Sequence, residues 1–251
     1  MIRKPVDEET VRALVSEINS HTPCLTQDQS DLMEYLITRI VRGSEKHFSP
    51  AQVRKVVLAL RLSAKWHEGI RRKERNEPPY ITHPFSVAVA FFNRGVYDFK
   101  LIIATILHDV VEDAKNKDAR YRYRKTIRVE FGSTVLAIVD LVTKGRQPWE
   151  KAQFFTLLVR DKRPGIAWRA RLLKLGDCAH NAESFDVFEP NRRLEKIQEV
   201  RKEYPPVVVV LNRDLRKLVR EKKLPAEPYA YLATSMMQEI TDALDHHLLK
   251  R

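Results

Sequence analysis

Apolar residues in this chain recur three and four positions apart and rarely alternate, which leaves helices as its main building unit. Val11, Leu14, Val15 and Ile18 set the pattern. Only seven glycines punctuate 251 residues, too few for the many tight turns of a sheet protein. The fold class expected is therefore all-α. A helix is predicted over 29–41, closed by Gly43, with 44–50 as a linker. Ser49-Pro50 reads as a helix start, N-cap then first turn, for a helix through Val53, Val56, Val57, Leu60 and Ala64. After a polar loop, 71–80, a helix is predicted over 84–93. Asp98 should cap the next, Phe99 to about Asp113, which is apolar almost all round and therefore central. Further helices are expected on either side of Gly132, over 149–161 and 166–184 with a break at Arg163-Pro164-Gly165, and near 190–203 and 229–249. Val207–Val210 favours a strand by propensity, yet an isolated strand has no partner here, so it too reads as helix.

At 43% hydrophobic residues the chain has ample core material, but its longest apolar stretch, Leu101–Leu107, falls far short of a membrane span. No membrane association is expected. The N-terminus turns acidic where a signal peptide would be apolar. Cys24 and Cys178 are too few for a disulfide framework, so a reducing cytoplasm is the simple reading. The net charge of +12 suits polyanionic partners, nucleotides or nucleic acid, and equally a solvated basic surface.

Chemistry concentrates in three stretches. Leu107–Asp113, LHDVVED, follows the apolar run LIIATI and so places His108 and Asp109 at the end of a buried helix. A buried carboxylate costs several kcal/mol, on the order of the ionic desolvation penalty, unless paired or bound to a metal. His108 and Glu112 are four apart, as are Asp109 and Asp113, which on a helix puts each pair on one side. Taken alone, the stretch also fits a helix end that surfaces into solvent. The second stretch, LLKLGDCAHN (172–181), repeats the arrangement with Asp177, His180 and Asn181. The third, Tyr80–Pro84, brings His83 to the mouth of a helix. Two imidazoles and two aspartates form a mixed nitrogen/oxygen donor set suited to Mn²⁺, Fe²⁺ or Zn²⁺, and no cysteine joins them as in a structural zinc site.

Taken in order, ALRLSAKWHEGIRRK (59–73), YITHP, LHDVVEDA, FGSTVLAIVDLVTK (131–144) and LLKLGDCAHN resemble the HD-domain (p)ppGpp hydrolases, both the hydrolase half of the bifunctional alarmone enzymes and their stand-alone small relatives. The resemblance implies an HD-domain helical bundle over 49–188, with an N-terminal helical extension over 1–48 and a C-terminal one over 189–251. It implies metal ligation by His83, His108, Asp109 and Asp177, with Mn²⁺ the usual ion and Fe²⁺, Zn²⁺ and Mg²⁺ as alternatives. Glu112 and Asp113 would orient or deprotonate the water that attacks the 3′-pyrophosphate of ppGpp or pppGpp. Arg72, Lys73, Asn181 and Ser184 would contact the guanine nucleotide substrate. The basic segment 71–75 then has a reason to be basic.

The chain departs from the family pattern at Ile70, Ala114, Cys178 and Glu183, and its loop after Lys73 is one residue longer. These positions touch the nucleotide pocket and keep one alternative in view, an HD phosphohydrolase acting on another nucleotide; the charge of +12 and YRYRK (121–125) support a second, a non-catalytic nucleic-acid-binding or regulatory module with a vestigial HD fold. His67 is read as a supporting residue, Cys178 as a small buried one, His246 and His247 as solvated, and the three tryptophans as packing residues. YRYRK (121–125) mixes aromatics with cations but reads first as an exposed helix start, so nucleic acid is not expected as a partner. The flanking helices would cover the pocket or form a homo-oligomer interface.

Overall fold

The computed structural model describes residues 6–73, 76–145 and 147–249; Glu74 and Arg75 of the basic loop, and residues 1–5 of the N-terminal extension, lie outside them. Among the described residues there are helices and no strand, and the one extended pairing is an isolated antiparallel bridge between Arg71 and Pro79. The all-α expectation holds. Contacts divide the chain into two compact units, residues 1–93 with 97–139, and 94–96 with 140–251. The three-part division at 48 and 188 rests on motifs and stands beside this one as a proposal.

In the first unit, α1 (Glu8–Ser20) is capped by Asp7, whose carboxylate accepts from the Thr10 amide at 2.7 Å, and it buries Val11, Leu14, Val15 and Ile18 as the spacing requires. Next, α2 (Gln27–His47) opens with a capping box between Thr26 and Gln29. It runs on through Gly43 to His47, so Gly43 does not close the helix and the linker shrinks to Phe48 and Ser49. The glycine serves packing instead: a Cβ there would come within 2.9 Å of the Phe92 ring. Ser49 and Gln52 form the capping box of α3 (Pro50–Trp66), with Pro50 in its first turn. Then come α4 (Thr82–Asn93) and α5 (Phe99–Ile106), the latter capped by Asp98. All side chains from Leu101 to Ile106 are fully buried. At about 1.5–3 kcal/mol for each large apolar residue, that burial anchors whatever follows α5. The helix ends at Ile106, however, and residues 107–112 form turns. Gly132, with φ +92°, separates α6 (Lys117–Phe131) from α7 (Ser133–Val142).

The second unit holds α8 (Pro148–Arg160), α9 (Ala167–Ala182), α10 (Pro190–Arg220), α11 (Ala226–Tyr229) and α12 (Leu232–Leu249), with α9 packed against α8, α10 and α12. Helix α10 runs well past the expected 203, through Pro205 and Pro206 and the Val207–Val210 run. Interior proline costs about 3 kcal/mol. Burial of Ile197, Val200, Tyr204, Val207, Val208, Leu211 and Leu215 along one face offsets that cost. Arg171 is buried in α9 and donates to the carbonyls of Leu158 (3.0 Å) and Val159 (2.9 Å), to the Asp161 carbonyl and to the Asp214 carboxylate. It thereby ties the end of α8 to α9 and α10. Among the described residues no helix is long and apolar enough to cross a membrane.

Candidate metal centre

The loop before α4 is set by its own backbone. Arg72 donates its amide to the Pro78 carbonyl and Tyr80 to that of Ile70, at 2.9 and 3.0 Å, while the Arg71 guanidinium reaches the carbonyls of Pro23, Cys24 and Glu77. Arg71 is thus a loop clamp. Its neighbour Arg72 is half-buried and Lys73 exposed. The Thr82 hydroxyl donates to the Pro79 carbonyl at 2.8 Å and fixes the first turn of α4, where His83 is buried.

The second contribution comes from the turn after α5. The His108 Nδ1 lies 2.8 Å from the Thr105 carbonyl, which can only accept, so Nδ1 carries a proton and Nε2 is the nitrogen turned toward Asp109. That Nε2 stands 3.0 Å from Oδ2 of Asp109, and His83 Nε2 stands 3.7 Å from the same oxygen. One donor atom from each of His83, His108 and Asp109 lies within 4.8 Å of the others. Two lone pairs 3.0 Å apart repel unless a proton or a cation sits between them. Buried imidazole nitrogens facing a carboxylate oxygen therefore form a group that could hold a metal ion, and all three residues belong to the first unit.

Two residues steady this group from behind. The Tyr80 hydroxyl donates to Asp109 Oδ2 at 2.8 Å, a role that reading the sequence missed although Tyr80 stands three residues before His83. His67, buried, has Nδ1 3.0 Å from the Ser63 carbonyl and stacks on Tyr80 with centroids 4.9 Å apart. Its Nε2 faces Oδ2 of Asp113 at 3.5 Å. The regular helical pairing expected across 108–113 is replaced by a single turn, in which the Asp113 amide donates to the Asp109 carbonyl at 2.8 Å and Glu112 is half-buried. The shortened helix turns Asp113 toward His67, where an ideal continuation would have stacked it over Asp109.

Asp177 belongs to the second unit. It is buried on α9 and accepts from Lys174 Nζ at 2.5 Å and Asn181 Nδ2 at 2.6 Å. Lys174, itself buried and 5.6 Å from the Phe154 ring centroid, went unnoticed in the sequence. The Ser184 hydroxyl donates to the Asn181 carbonyl at 3.3 Å. Burial first, and the neighbouring Asp177 charge second, push the Cys178 thiol up to about 12, so it is the inert packing residue expected. Two supporting readings need correction. His247 is buried, with Nε2 2.8 Å from the Ala182 carbonyl, and Trp149 is exposed on α8.

Comparison with known proteins fits this geometry. A family model described as an HD domain matches residues 59–153. A Streptomyces coelicolor GTP pyrophosphokinase is 30% identical over 219 residues, covering 86% of this chain and 24% of that protein. The guanosine-3′,5′-bis(diphosphate) 3′-pyrophosphohydrolase of Aquifex aeolicus is 33% identical over 147 residues, covering 57% and 20%. The pyrophosphohydrolase of the same name from Xenopus tropicalis is 31% identical over 129 residues, covering 50% of this chain and 66% of that one. A solved structure of a metazoan SpoT ortholog superposes with a TM-score of 0.53 at 21% identity, over 74% of this chain and 94% of that one, a likeness of fold. Helical fold and donor set together define an HD-domain protein. The chain belongs to the HD-domain (p)ppGpp hydrolase family. It spans about a quarter of the length of its Streptomyces relatives.

Proposed function

We propose that this chain hydrolyses the 3′-pyrophosphate of ppGpp or pppGpp, releasing GDP or GTP and pyrophosphate, in the cytoplasm and with a divalent ion, Mn²⁺ first among candidates. The convergence of His83, His108 and Asp109 carries the reading. Asp177 is the fourth ligand in this proposal, its carboxylate oriented by Lys174 and Asn181. A bound divalent ion would draw charge off a phosphoryl oxygen and lower the pKa of its water. Asp113, held toward His67, and Glu112 in the same turn take the proton of the attacking water or orient it. Arg72 stacks on the guanine, Lys73 neutralises phosphate charge, and Asn181 with Ser184 positions the nucleotide.

The test is pyrophosphate release from ppGpp, beside GTP and other nucleotides, with Mn²⁺, Fe²⁺, Zn²⁺ or Mg²⁺ and with a chelator. Release should require the ion. Asp109→Asn removes an anionic ligand and should abolish both metal binding and turnover. Glu112→Ala should keep the metal while turnover drops by about two orders of magnitude or more. If ppGpp stays intact while another nucleotide is cleaved, the substrate assignment fails; if both variants match the parent on ppGpp, the site assignment fails.

A further inference from the structure

Half of the chain's net charge sits on one short segment that the hydrolase site leaves unused. From Lys115 to Arg128 there are seven cations and one carboxylate, Asp118, a local charge of +6 against +12 for the whole. Most of this segment is α6. Of its apolar residues, Ala119, Ile127 and Phe131 are buried in the first unit and Val129 is exposed. Lys117, Tyr121, Lys125 and Arg128, spaced four, four and three apart, share the opposite face, and all are exposed, Tyr121 at 68%. Among the described residues no ion pair engages Lys117, Arg122, Lys125 or Arg128. Where α6 meets the end of α3, Trp66 and Tyr123 stack with centroids 4.2 Å apart. They help line a cleft of about 480 Å³ whose other walls include Lys65, Lys115 and Arg122.

We propose that the exposed face of α6, with this cleft, binds single-stranded RNA. From Lys117 to Arg128 the helix rises about 17 Å, which matches roughly five phosphates of a stacked strand at about 3.4 Å each. Cations on successive turns supply the sequence-independent part of the binding. Tyr121 and the rim of the Trp66–Tyr123 pair offer ring surface to bases that are free of a duplex. A membrane surface is the poorer fit, because a helix lying in a bilayer needs an outward apolar face and α6 exposes a single aliphatic side chain, Val129. A purely acidic peptide would use the cations and leave the aromatics idle.

Anisotropy of a fluorescein-labelled, unstructured 12-nucleotide RNA titrated with the full chain tests this. With four free cations engaged, log affinity should fall against log salt with a slope of about −3, roughly a fiftyfold loss between 50 and 200 mM. Lys125→Glu combined with Arg128→Glu should weaken binding at least about tenfold, and Tyr121→Ala between about fivefold and a hundredfold. Both variants should keep the parent's circular dichroism and melting, since the altered side chains are exposed. Asp109→Asn should bind the RNA like the parent, which separates this surface from the hydrolase reading. Absence of binding at 50 mM salt, unchanged binding by the α6 variants, or equal affinity for duplex RNA, polyglutamate or phosphatidylserine vesicles would each overturn the proposal.

Discussion

Replacing Tyr80 with Phe would remove one oxygen from the metal centre and little else. The hydroxyl donates to Asp109 Oδ2 at 2.8 Å, and the ring stacks on His67 with centroids 4.9 Å apart. Phe keeps the ring, so packing should survive. A hydrogen bond to a charged group contributes about 1.5–3 kcal/mol. That range is a ceiling on the effect, because Asp109 accepts the bond with or without an ion. What the ion loses is a carboxylate already turned toward His83 and His108. Supporting residues of this kind typically change metal affinity by about 10–100-fold, and the lower end applies where the bond persists in both states. We expect Tyr80→Phe to weaken Mn²⁺ binding about tenfold, or about 1.4 kcal/mol. Titration calorimetry on parent and variant reads this directly, with thermal melting as the control for folding. Affinity within twofold of the parent would refute the idea that Tyr80 orients Asp109. A large fall in melting temperature would show that Tyr80 acts on the fold instead.

Three further outcomes test the framework around the site. Gly43→Ala should destabilise the protein by about 1 kcal/mol: helix propensity favours Ala by about 0.5–1 kcal/mol, but a Cβ 2.9 Å from the Phe92 ring overpacks at about 1–3 kcal/mol, and urea unfolding will show which wins. Arg171→Met should cost about 3–5 kcal/mol by the same measurement, since it takes from Asp214 its buried partner, leaving only Arg213 at 3.3 Å, and leaves three carbonyls without their donor; a loss under 1 kcal/mol, on the order of a surface ion pair, would show the knot to be dispensable. Iodoacetamide at pH 8 should label Cys24, which is exposed, and spare Cys178, whose thiol is pushed up to about 12; two equivalents incorporated into folded protein would contradict that burial.

The sequence was most legible where a structural signal is local. Asp98 and Ser49 mark helix starts because the capping side chain and the amide it accepts from lie three residues apart. The apolar run Leu101–Ile106 is central because it is apolar on every side. His108 and Asp109 could be picked out because imidazole and carboxylate at the edge of such a run need a partner, and His83 because it stands at the mouth of a helix after the turn at Tyr80. Legibility failed where the partner is distant. Glycine looks the same whether it ends a helix or admits a neighbour, so the packing of Gly43 against Phe92 has no signature in the sequence around it. Pro205-Pro206 signals a break, and only burial of the face around it carries α10 through. Tyr80 on Asp109 and His67 beside Asp113 join residues 29 and 46 positions apart, a distance no local pattern encodes. His247 reads as solvated in a charged helix because its buried partner, the Ala182 carbonyl, lies 65 positions away.

Anomalous diffraction from crystals grown with Mn²⁺ would locate the ion itself. One strong peak should lie within bonding distance of His83 Nε2, His108 Nε2 and Asp109 Oδ2, with an Asp177 oxygen completing the protein ligands. A map with no peak there, or with its strongest peak away from those side chains, would contradict a metal-dependent site.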